Sequence, residues 1–509
     1  MKKYLIGVDL GTSGTKAAIY KPDGTLVAES FTEVELYYPK PGIVEQENID
    51  FYNSAAKTVN ECVNQSGIDP KDIAAIAFDS QMAGVGLIDE NFEPVARFDS
   101  WLDMRCQPYI KSMEATAGEK ITSLTGCPPT CDHGPKMLWW QHEEPDIYRK
   151  TAKFLMPAAY VVGKLANLKV DEAFIDYTYI HFSGFSDARA GIWSEELCEL
   201  FGVDKEKLPK IVSPWDIVGE TDEKASRDFG LAPGTIIAAG AGDTAANALG
   251  AGIVKPGILF DVAGTAAVLA GCTDAFIADI DHRALLTMRS VIPGLWNPLA
   301  YIAGGGIILR WIRDEICGDI KGSKVTSDDT YESMIAFAGK VNPGSDGLLF
   351  SPHLGGRICP STPEMRGAWI GLSWSHTRGH MIRAALESVA FEYAYYLGIL
   401  KELLPELSLA EARVMGGGAK SGVWNQVKAD VLNVPYYRLI GSEFGTWGAA
   451  MIAGKAAGLI TDLADHATMC ARVKQDMFQP DQNAHSAYIP FVQKYIASQQ
   501  QLAELYKQV

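Results

Sequence analysis

Four polar side chains near the start of the chain could bind the phosphates of a nucleotide. The stretch "GVDLGTSGTK" places Asp9, Thr12, Ser13 and Lys16 among glycines, directly after an apolar run. Glycines let backbone N–H groups approach an anion, hydroxyls add donors, and a lysine adds positive charge. A carboxylate at a strand end can also bind Mg²⁺, which takes carboxylates together with water and phosphate oxygens. The turn therefore predicts an ATP site in which Asp9 faces the metal.

Two other nucleotide-binding motifs do not fit this turn. The dinucleotide fingerprint G-x-G-x-x-G leads into a helix, and the P-loop requires G-x-x-x-x-G-K-[ST]. The turn matches neither pattern and continues into "AAIY", which indicates a second strand. These observations disfavour NAD-type and P-loop sites, and they predict a meander of antiparallel strands.

An aspartate after a later strand has two interpretations. Asp243 follows "TIIAAGAG" and precedes "TAANALG", a helix of small residues. Aspartate commonly caps a helix by accepting backbone N–H bonds, which would be a purely structural role. Alternatively, the small neighbours leave room for a substrate hydroxyl to reach the carboxylate, which would then act as a general base. The residues alone leave both interpretations open.

A motif similar to the first turn recurs about half a chain later. In "GILFDVAGTAAVLAGC" a strand again delivers an aspartate, Asp261, followed by Gly264 and Thr265, and 252 positions separate Asp9 from Asp261. Two domains of like design would produce this repeat, and so would two unrelated glycine hairpins. A further run, "GGGA" at 416–419, could accept a flat ligand such as adenine, or it could be an ordinary strand-to-helix turn.

Other polar residues could contact the hydroxyl groups of a substrate. Gln81 and Asp103 could bind hydroxyls and Trp101 could flank a sugar ring, although such residues are also common in surface loops. His376 and His380 stand four residues apart, as two metal ligands on a helix would. No acidic or cysteine third ligand is near them in sequence, so we expect solvated or capping histidines.

The elements that must position these residues alternate between strands and helices. "ARVMGGG" is typical of a buried strand, and "GHMIRAALESVAFEYAYYLGILKELL" has apolar residues at helical spacing. A chain of 509 residues is too long for one core. We expect an α/β protein with two domains, 1–250 and 251–509, and a final helix after about residue 480.

Composition restricts the partners. The net charge is −17, which argues against a nucleic-acid or anionic-membrane surface and favours a small-molecule partner. The apolar run after the first lysines is too short for a signal peptide, and no run reaches membrane-spanning length. Nine cysteines without regular pairing predict reduced thiols, with a zinc or disulfide role as the less favoured alternative. We therefore expect a cytoplasmic protein.

The order of these motifs resembles that of the FGGY carbohydrate kinases, over almost the full chain and most closely in their xylulokinase-like branch. The most specific match is "GAWIGLSWSHTRGHMIRAALE", residues 367–387. This segment fits the second signature of the family at every constrained position. A chance match of that length is improbable.

The resemblance implies an α/β fold of two ribonuclease-H-like (actin-like ATPase) domains with a catalytic cleft between them. It implies an enzyme that uses ATP and Mg²⁺, with Asp243 as the catalytic base that accepts the proton of a sugar or polyol hydroxyl. The residues that it implies are Gln81, Met82, Asp103, Asp243 and Thr244 for the sugar, Thr12, Ser13, Lys16, Gly264, Thr265, Gly306, Gly417 and Gly418 for the nucleotide, and Asp9 for the metal.

Four positions depart from the family pattern. Ala83 stands where xylulokinases usually have histidine, and Thr244 stands where they have asparagine. His133 stands where proline, serine or threonine is expected, and Gly356 replaces the acid of a Gly-Glu-Arg-x-Pro pattern. The resemblance therefore implies a ketose or polyol, with a xylulose-like sugar first. An actin-like or chaperone-like ATPase and a catalytically weak sugar sensor stay open as alternatives. The family also suggests a homodimer.

Overall fold

The computed structural model describes residues 3–318, 327–441, 443–471 and 473–508. The strands of the N-terminal half are β1 (Tyr4–Leu10), β2 (Gly14–Tyr20), β3 (Leu26–Glu33), β4 (Glu45–Gln46), β5 (Ile73–Ser80), β6 (Gly86–Ile88), β7 (Phe98–Asp99), β8 (Lys153–Leu155), β9 (Phe174–Asp176), β10 (Ser186–Asp187), β11 (Ile192–Trp193), β12 (Lys210–Val212), β13 (Ile217–Glu220), β14 (Ile236–Ala238) and β15 (Ala241–Gly242). Those of the C-terminal half are β16 (Ile258–Ala263), β17 (Ala267–Gly271), β18 (Leu286–Arg289), β19 (Trp296–Ile302), β20 (Leu349–Ser351), β21 (Ala368–Ile370), β22 (Glu411–Met415), β23 (Tyr436–Leu439) and β24 (Val473–Phe478).

The α-helices alternate with these strands along the chain, as the sequence predicts. They are α1 (Asn48–Ser66), α2 (Gln107–Thr125), α3 (His133–Glu143), α4 (Pro145–Lys150), α5 (Pro157–Leu165), α6 (Glu195–Phe201), α7 (Glu223–Phe229), α8 (Asp243–Gly250), α9 (Gly306–Trp311), α10 (Ser327–Ala338), α11 (Arg378–Leu403), α12 (Gly422–Leu432), α13 (Phe444–Ala456), α14 (Leu463–Cys470) and α15 (Gln482–Tyr506). The predicted long helix is α11 and the predicted final helix is α15. Within the described ranges, none of the helices combines the length and the apolar character that crossing a membrane requires.

The first large sheet grows from the predicted meander. β1 pairs antiparallel with β2, and β2 pairs antiparallel with β3. On the other side of β1, β5 runs parallel to it, and β14 runs parallel to β5. The order is β13-β14-β5-β1-β2-β3, with β15 beside the end of β5. The parallel strands β1, β5 and β15 therefore bring their carboxyl ends to one edge, where ligands commonly bind in open α/β sheets.

The second large sheet repeats this arrangement. β16, β17 and β19 form an antiparallel meander, β22 runs parallel to β16, and β23 runs parallel to β22. These five strands occupy the places that β1, β2, β3, β5 and β14 occupy in the first sheet. The motif that recurs half a chain later is therefore a structural repeat, in which β16 corresponds to β1.

The two aspartates of this repeat have different surroundings. Asp261 on β16 is fully buried, forms an ion pair with Lys428 Nζ at 2.6 Å, and accepts a hydrogen bond from the hydroxyl of Tyr393 at 2.8 Å. Asp9 on β1 is partly exposed. Asp261 is thus neutralised inside the second core, and only Asp9 can meet a ligand.

A helix from the C-terminal half covers one face of the first sheet. α13 packs against β1, β5 and α8, whereas α1 and α5 lie on the other face. Small residues allow this close crossing: a Cβ atom at Gly7 would overlap the carbonyl oxygen of Thr446, and one at Gly448 would overlap that of Ala246. Residues 444–456 therefore complete the first layered unit although they lie far beyond residue 250.

Candidate functional site

Three carboxylates meet where the parallel strands of the first sheet end. Asp9 lies opposite Asp79 in the register of β1 and β5. Asp79 also lies opposite Ala241 of β15, and Asp243 follows two residues later as the first residue of α8. Asp79 is fully buried, whereas Asp9 and Asp243 are partly exposed. The fold therefore joins the two predicted aspartates through a third.

Burial shifts the pKa values of all three carboxyls upward, and repulsion within the cluster adds to the shift of Asp79 and Asp243. Burial raises the pKa of Asp9 to about 6, although Lys16 is close by. Burial, and then the charge of Asp9, raises the pKa of Asp243 to about 7. Burial, and then the charges of Asp9 and Asp243, raises the pKa of Asp79 well above its ordinary value. The cluster therefore favours a proton or a cation among its members.

Sequence reasoning does not identify Asp79. Both of its carboxylate oxygens are buried, and no donor group in the described ranges bonds to them. Its neighbour is the carboxyl group of Asp9, and a hydrogen bond between two carboxyls requires one of them to be protonated. In the sequence, Asp79 is only a polar residue near the end of the apolar stretch "IAAIAFDS". Its place beside Asp9 depends on the register of β5 and β1, which the sequence does not reveal.

Asp243 does not act as a helix cap. Gly242 occupies the capping position of α8, and the Asp243 side chain makes no bond to the N–H groups deeper in the first turn. Instead, its Oδ1 accepts bonds from the backbone N–H of Thr244 at 2.5 Å and from the Thr244 hydroxyl at 3.1 Å. No described group donates to Oδ2, so this oxygen can serve a substrate.

The predicted hydroxyl groups lie on the turn between β1 and β2. Ser13 is exposed, and the hydroxyl of Thr12 accepts a hydrogen bond at 2.8 Å from the indole N–H of Trp101. The carbonyl oxygen of Thr12 accepts a second bond, from the Gln46 side chain at 3.1 Å. These two bonds hold the turn in place, and its outer surface stays polar.

The predicted lysine lies beside the acidic cluster. Lys16 stands opposite Asp9 in the antiparallel register of β2 and β1. Its Nζ forms an ion pair at 2.6 Å with Glu443, the residue before α13. A residue from the C-terminal half thus contacts the strand that follows the first turn.

Glycine turns of the second sheet lie against one another. The N–H of Gly306 donates to the carbonyl oxygen of Gly264 at 2.8 Å, and the N–H of Gly305 donates to that of Thr265 at 3.0 Å. A Cβ atom at Gly306 would stand 2.8 Å from the Gly264 oxygen. The predicted Gly264, Thr265 and Gly306 are therefore brought together, and the Thr265 side chain is exposed.

The third glycine run, residues 416–418, lies against Ala263 and Gly264. A Cβ atom at Gly418 would stand 2.7 Å from the Cβ atom of Ala263, the residue before Gly264. At Gly417 the corresponding position is open, with no atom within 4 Å, and the residue is exposed. Gly417 and Gly418 thus offer bare backbone at the ends of β16 and β22, where a flat ligand can lie.

Two of the predicted sugar residues lie next to the acidic cluster. Gln81 is buried, donates from Nε2 to Gln46 at 2.8 Å, and has no donor to its Oε1 among the described groups. The sulfur of Met82 would stand 2.8 Å from a Cβ atom at Gly242, so Met82 packs beside the start of α8. Met82 and Thr244 therefore lie beside the base candidate, and Gln81 follows two residues after Asp79.

Asp103 has a structural role that the sequence does not predict. It is fully buried, and its two oxygens accept four bonds: from the backbone N–H of Val44 at 2.8 Å and from three N–H groups of Arg105 at 2.8 to 3.0 Å. These bonds occupy the lone pairs that a sugar hydroxyl would need. In this geometry Asp103 fixes its own loop, and its predicted contact with the sugar stays a prediction.

A second group of buried polar atoms lies near Tyr179, which bonds to β15. The ring nitrogens of His133 and His181 and one oxygen of Asp132 have no partner among the described groups. The ring of His133 lies 6.3 Å from that of Tyr179, whose hydroxyl donates to the carbonyl oxygen of Ala241 on β15. Sequence reasoning marks only His133, as a departure from the family pattern. Buried groups of this kind require water or a ligand as a partner.

His380 is a capping residue of α11, as predicted, and His376, which precedes the helix, accepts a hydrogen bond from the backbone N–H of Ser373 at 3.0 Å. His380 Nδ1 accepts a hydrogen bond from the backbone N–H of Thr377 at 3.1 Å, and its Nε2 lies 3.0 Å from Asp346. Across the part of the chain that the structure describes, no three His, Cys, Asp or Glu side chains form a metal-ligand group by themselves.

Protein-family models match both halves of the chain. Residues 4–250 match the N-terminal domain of the FGGY family of carbohydrate kinases, and residues 262–457 match its C-terminal domain. Similar sequences include the gluconokinase of Bacillus subtilis, 29% identical over 466 residues that cover 90% of this chain and 89% of that protein. The xylulose kinase of the same organism is 27% identical and covers 100% of this chain and 96% of its own length.

Solved structures agree with the architecture. A xylulose kinase from Lactobacillus acidophilus superposes with a TM-score of 0.91 at 23% identity and covers 99% of both chains. A xyloylose kinase from Brucella ovis superposes with a TM-score of 0.87 at 27% identity, covering 99% of this chain and 100% of that one. The likeness identifies the fold as α/β with two ribonuclease-H-like, actin-like ATPase domains. Repeated sheets, acidic strand ends and matches to both family domains converge on one assignment: the chain belongs to the FGGY family of carbohydrate kinases, the ATP-dependent enzymes that phosphorylate sugars.

Proposed function

We propose that this kinase transfers the γ-phosphoryl group of ATP to a hydroxyl of a neutral ketose or polyol, with a xylulose-like sugar as the expected substrate. The observation that carries the proposal is the position of Asp243. Its carboxylate stands at the head of α8, beside Asp9, with one oxygen held by Thr244 and the other without a donor among the described groups. This is the arrangement that a general base for a hydroxyl requires.

Asp243 acts on the attacking oxygen. Its Oδ2 accepts the proton of the sugar hydroxyl as that oxygen bonds to the γ-phosphorus. Burial raises the pKa of Asp243 to about 7, which suits proton transfer near neutral pH. Thr244 supports this role because its two bonds to Oδ1 orient the carboxylate.

Turns from both sheets bind the nucleotide in this proposal. The first turn supplies hydroxyl donors and a lysine charge, and the turns of the second sheet supply bare backbone and one exposed hydroxyl. The close approach of the second set of turns supports a shared ligand surface. The proposed nucleotide contacts are Thr12, Ser13 and Lys16 for the phosphates, Gly264, Thr265 and Gly306 for the phosphates from the other side, and Gly417 and Gly418 for the adenosine.

The acidic cluster fits a magnesium ion. Both buried oxygens of Asp79 lack a donor among the described groups, and repulsion among the carboxylates falls when a cation binds. Asp9 would hold the ion and Asp79 would stand beside it. Mg²⁺ takes one or two carboxylates with waters and substrate phosphates, so a complete protein ligand set is not required. The bound ion would neutralise charge on the phosphates during transfer.

The charges near the sugar residues support a neutral substrate. Arg105 is paired with Asp103 at 2.8 Å and with Glu45 at 2.6 Å. The Nζ of Lys136 is buried and donates to the carbonyl oxygens of Ser100 and Asp103, each at 2.8 Å. Both cations are thus already engaged, and the acidic cluster repels a sugar carboxylate. Because one relative is named a gluconokinase, D-gluconate is the comparison that matters.

The experiment measures ADP release from ATP and Mg²⁺ across pentuloses, hexuloses, polyols and D-gluconate, with Asp243→Asn beside the unmodified protein. We expect one neutral ketose or polyol to raise ADP release well above the sugar-free rate, and we expect the variant to lose that increase. Stimulation by D-gluconate instead would overturn the neutral substrate. Sugar-free release that survives in the variant would overturn the role of Asp243 and favour an ATPase.

Three further predictions accompany this proposal. We propose a domain division at residue 250, which the two family-model matches at 4–250 and 262–457 support. A homodimer follows from the family resemblance alone, and a cytoplasmic location is inferred from the nine cysteines without regular pairing. Light scattering of the purified chain tests the dimer, and limited proteolysis with sequencing of the fragments tests the division.

A further inference from the structure

Two cysteines lie in contact next to the sugar residues. The sulfur atoms of Cys106 and Cys131 are 3.4 Å apart, although 25 positions separate them in the sequence. Cys106 is fully buried at the start of α2, and Cys131 is partly exposed on the segment before α3. All nine cysteines lie in the described ranges, and none forms a disulfide. This pair is therefore a reduced dithiol with one accessible member.

The surroundings activate the accessible thiol. The Nζ of Lys136 lies 3.9 Å from the Cys131 sulfur. A hydrogen bond from Cys106 and the charge of Lys136 lower the pKa of Cys131 to about 7. Burial raises the pKa of Cys127 and Cys359 instead. Because the thiolate is the reactive form, Cys131 is the more reactive of these thiols.

We propose that Cys131 and Cys106 are an oxidative modification site, at which hydrogen peroxide forms a reversible disulfide. The proposal rests on the short sulfur–sulfur distance, the nearby ammonium group and the exposure of only one partner. Redox-sensor cysteines combine a reactive, accessible thiol with a resolving cysteine in reach, and this pair has both properties.

The reaction balances with one peroxide molecule. The Cys131 thiolate attacks one peroxide oxygen, the O–O bond breaks, and the departing hydroxide takes up a proton to leave as water. The Cys106 sulfur then attacks the sulfenic sulfur of Cys131 and loses its proton, while the sulfenic hydroxyl leaves as a second water. Two electrons pass from the two sulfurs to the peroxide. A dithiol reductant reverses the change by thiol–disulfide exchange.

Oxidation would alter the loop that carries Trp101 and Asp103. In the reduced state the Cys131 thiol donates to the carbonyl oxygen of Asp103 at 2.8 Å, and a disulfide removes that donor. The sulfur atoms must also approach from 3.4 Å to about 2.05 Å, which moves the start of α2 relative to the segment before α3. Because Trp101 bonds the Thr12 hydroxyl, the movement reaches the first phosphate turn.

The primary experiment reads the sulfur chemistry and is independent of any activity. The whole chain is treated with a few equivalents of hydrogen peroxide, the remaining thiols are alkylated, and peptides are mapped by mass spectrometry. We expect a cross-linked peptide pair containing Cys106 and Cys131, and its loss after dithiothreitol. In Cys106→Ser we expect Cys131 to form a dimedone adduct instead. Cys470→Ser, which alters another partly exposed thiol, should leave the cross-link unchanged.

Two outcomes would overturn the modification site. One is full alkylation of Cys131 after peroxide treatment, and the other is oxidation of Cys470 at the same rate as Cys131. A second measurement rests on the proposed function: the KM for the sugar should rise several-fold after oxidation, return with dithiothreitol, and stay constant in Cys106→Ser. An unchanged KM together with a formed cross-link would overturn the effect on the loop and retain the site.

Discussion

Asp9 and Asp79 stand opposite each other on the parallel strands β1 and β5, and Asp243 is close enough to raise the pKa of Asp79 further. The register of two buried strands imposes this contact. The charge of Asp9 disfavours ionisation of Asp79 and Asp243, so the folded chain carries electrostatic strain at this edge. Strain of this kind persists where the rest of the fold holds the strained groups in place, and it is concentrated at functional sites.

Asp79→Asn should raise stability and lower activity. At neutral pH the unfolded chain ionises this carboxyl, whereas burial and the neighbouring carboxylates oppose its ionisation in the folded chain. The amide removes that cost, so we expect the free energy of unfolding to rise by on the order of 1 kcal/mol at neutral pH. Sugar-dependent ADP release should fall at the same time, since the cluster loses a charge that favours a cation. Urea unfolding and steady-state kinetics check the two effects.

Asp103→Asn is the matched control for that substitution. Asp103 is equally buried but accepts four hydrogen bonds, so the same change should lower the free energy of unfolding by on the order of 2 kcal/mol. If both variants are destabilised to the same degree, folding does not oppose ionisation of the Asp79 carboxyl.

Asp243→Asn should remove catalysis without removing nucleotide binding. An amide cannot accept the hydroxyl proton, and loss of a general base typically costs roughly 10²–10⁴-fold in rate. The affinity for a fluorescent ATP analogue should stay within about threefold, because the proposed nucleotide contacts lie on other turns. Asp462→Asn, at the cap of α14, is a control at another helix start and should leave the rate unchanged.

His181→Gln should make stability less sensitive to acid. Burial lowers the pKa of His181 in the folded chain to about 3, so between about pH 3 and pH 6.5 the unfolded chain binds the extra proton. Because of this histidine, the free energy of unfolding falls as the pH drops below about 6.5, by about 2 kcal/mol between about pH 7 and pH 5. The variant should lack that loss. His142→Gln, on an exposed histidine, should retain the pH dependence of the unmodified chain.

Gly7→Ala should disrupt the crossing of α13 over the first sheet. The new methyl group would overlap the carbonyl oxygen of Thr446, so we expect a loss of about 3 kcal/mol or more in the free energy of unfolding. Gly398→Ala is the matched control: this glycine lies in α11 with no atom within 4 Å of the added Cβ. It should be neutral or stabilising by up to about 1 kcal/mol. Equal effects at both positions would contradict the described crossing.

The sequence predicts those features that depend on short-range pattern. Glycine punctuation predicts the hairpin that carries Asp9, helical spacing predicts α11, and the repeated strand–glycine–strand motif predicts that β16 repeats β1. Motif order then predicts the family and points to Asp243. The hairpin, the helix, the repeat and the family are confirmed, because each motif is made of residues close together in the chain, whereas the role of Asp243 stays a prediction.

The features that the sequence does not predict depend on distant segments. Asp79 joins the site only through strand register, and His181 adjoins His133 only because residues 178–183 fold back against α3. Asp103 is polar and lies in a loop, but nothing local indicates that Arg105 and Val44 occupy its lone pairs. The contact of Lys16 with Glu443 spans most of the chain.

The placement of α13 also determines when the first sheet can be finished during synthesis. Leu5, Ala75 and Ala77 belong to the hydrophobic cluster that contains Trp447 and Ala450 of α13. A ribosome completes β15 roughly two hundred residues before it completes α13. Throughout that interval the nascent chain has a nearly complete sheet with one apolar face uncovered. We therefore expect the N-terminal half to need chaperones until the C-terminal half is made, and residues 1–250 expressed alone should aggregate.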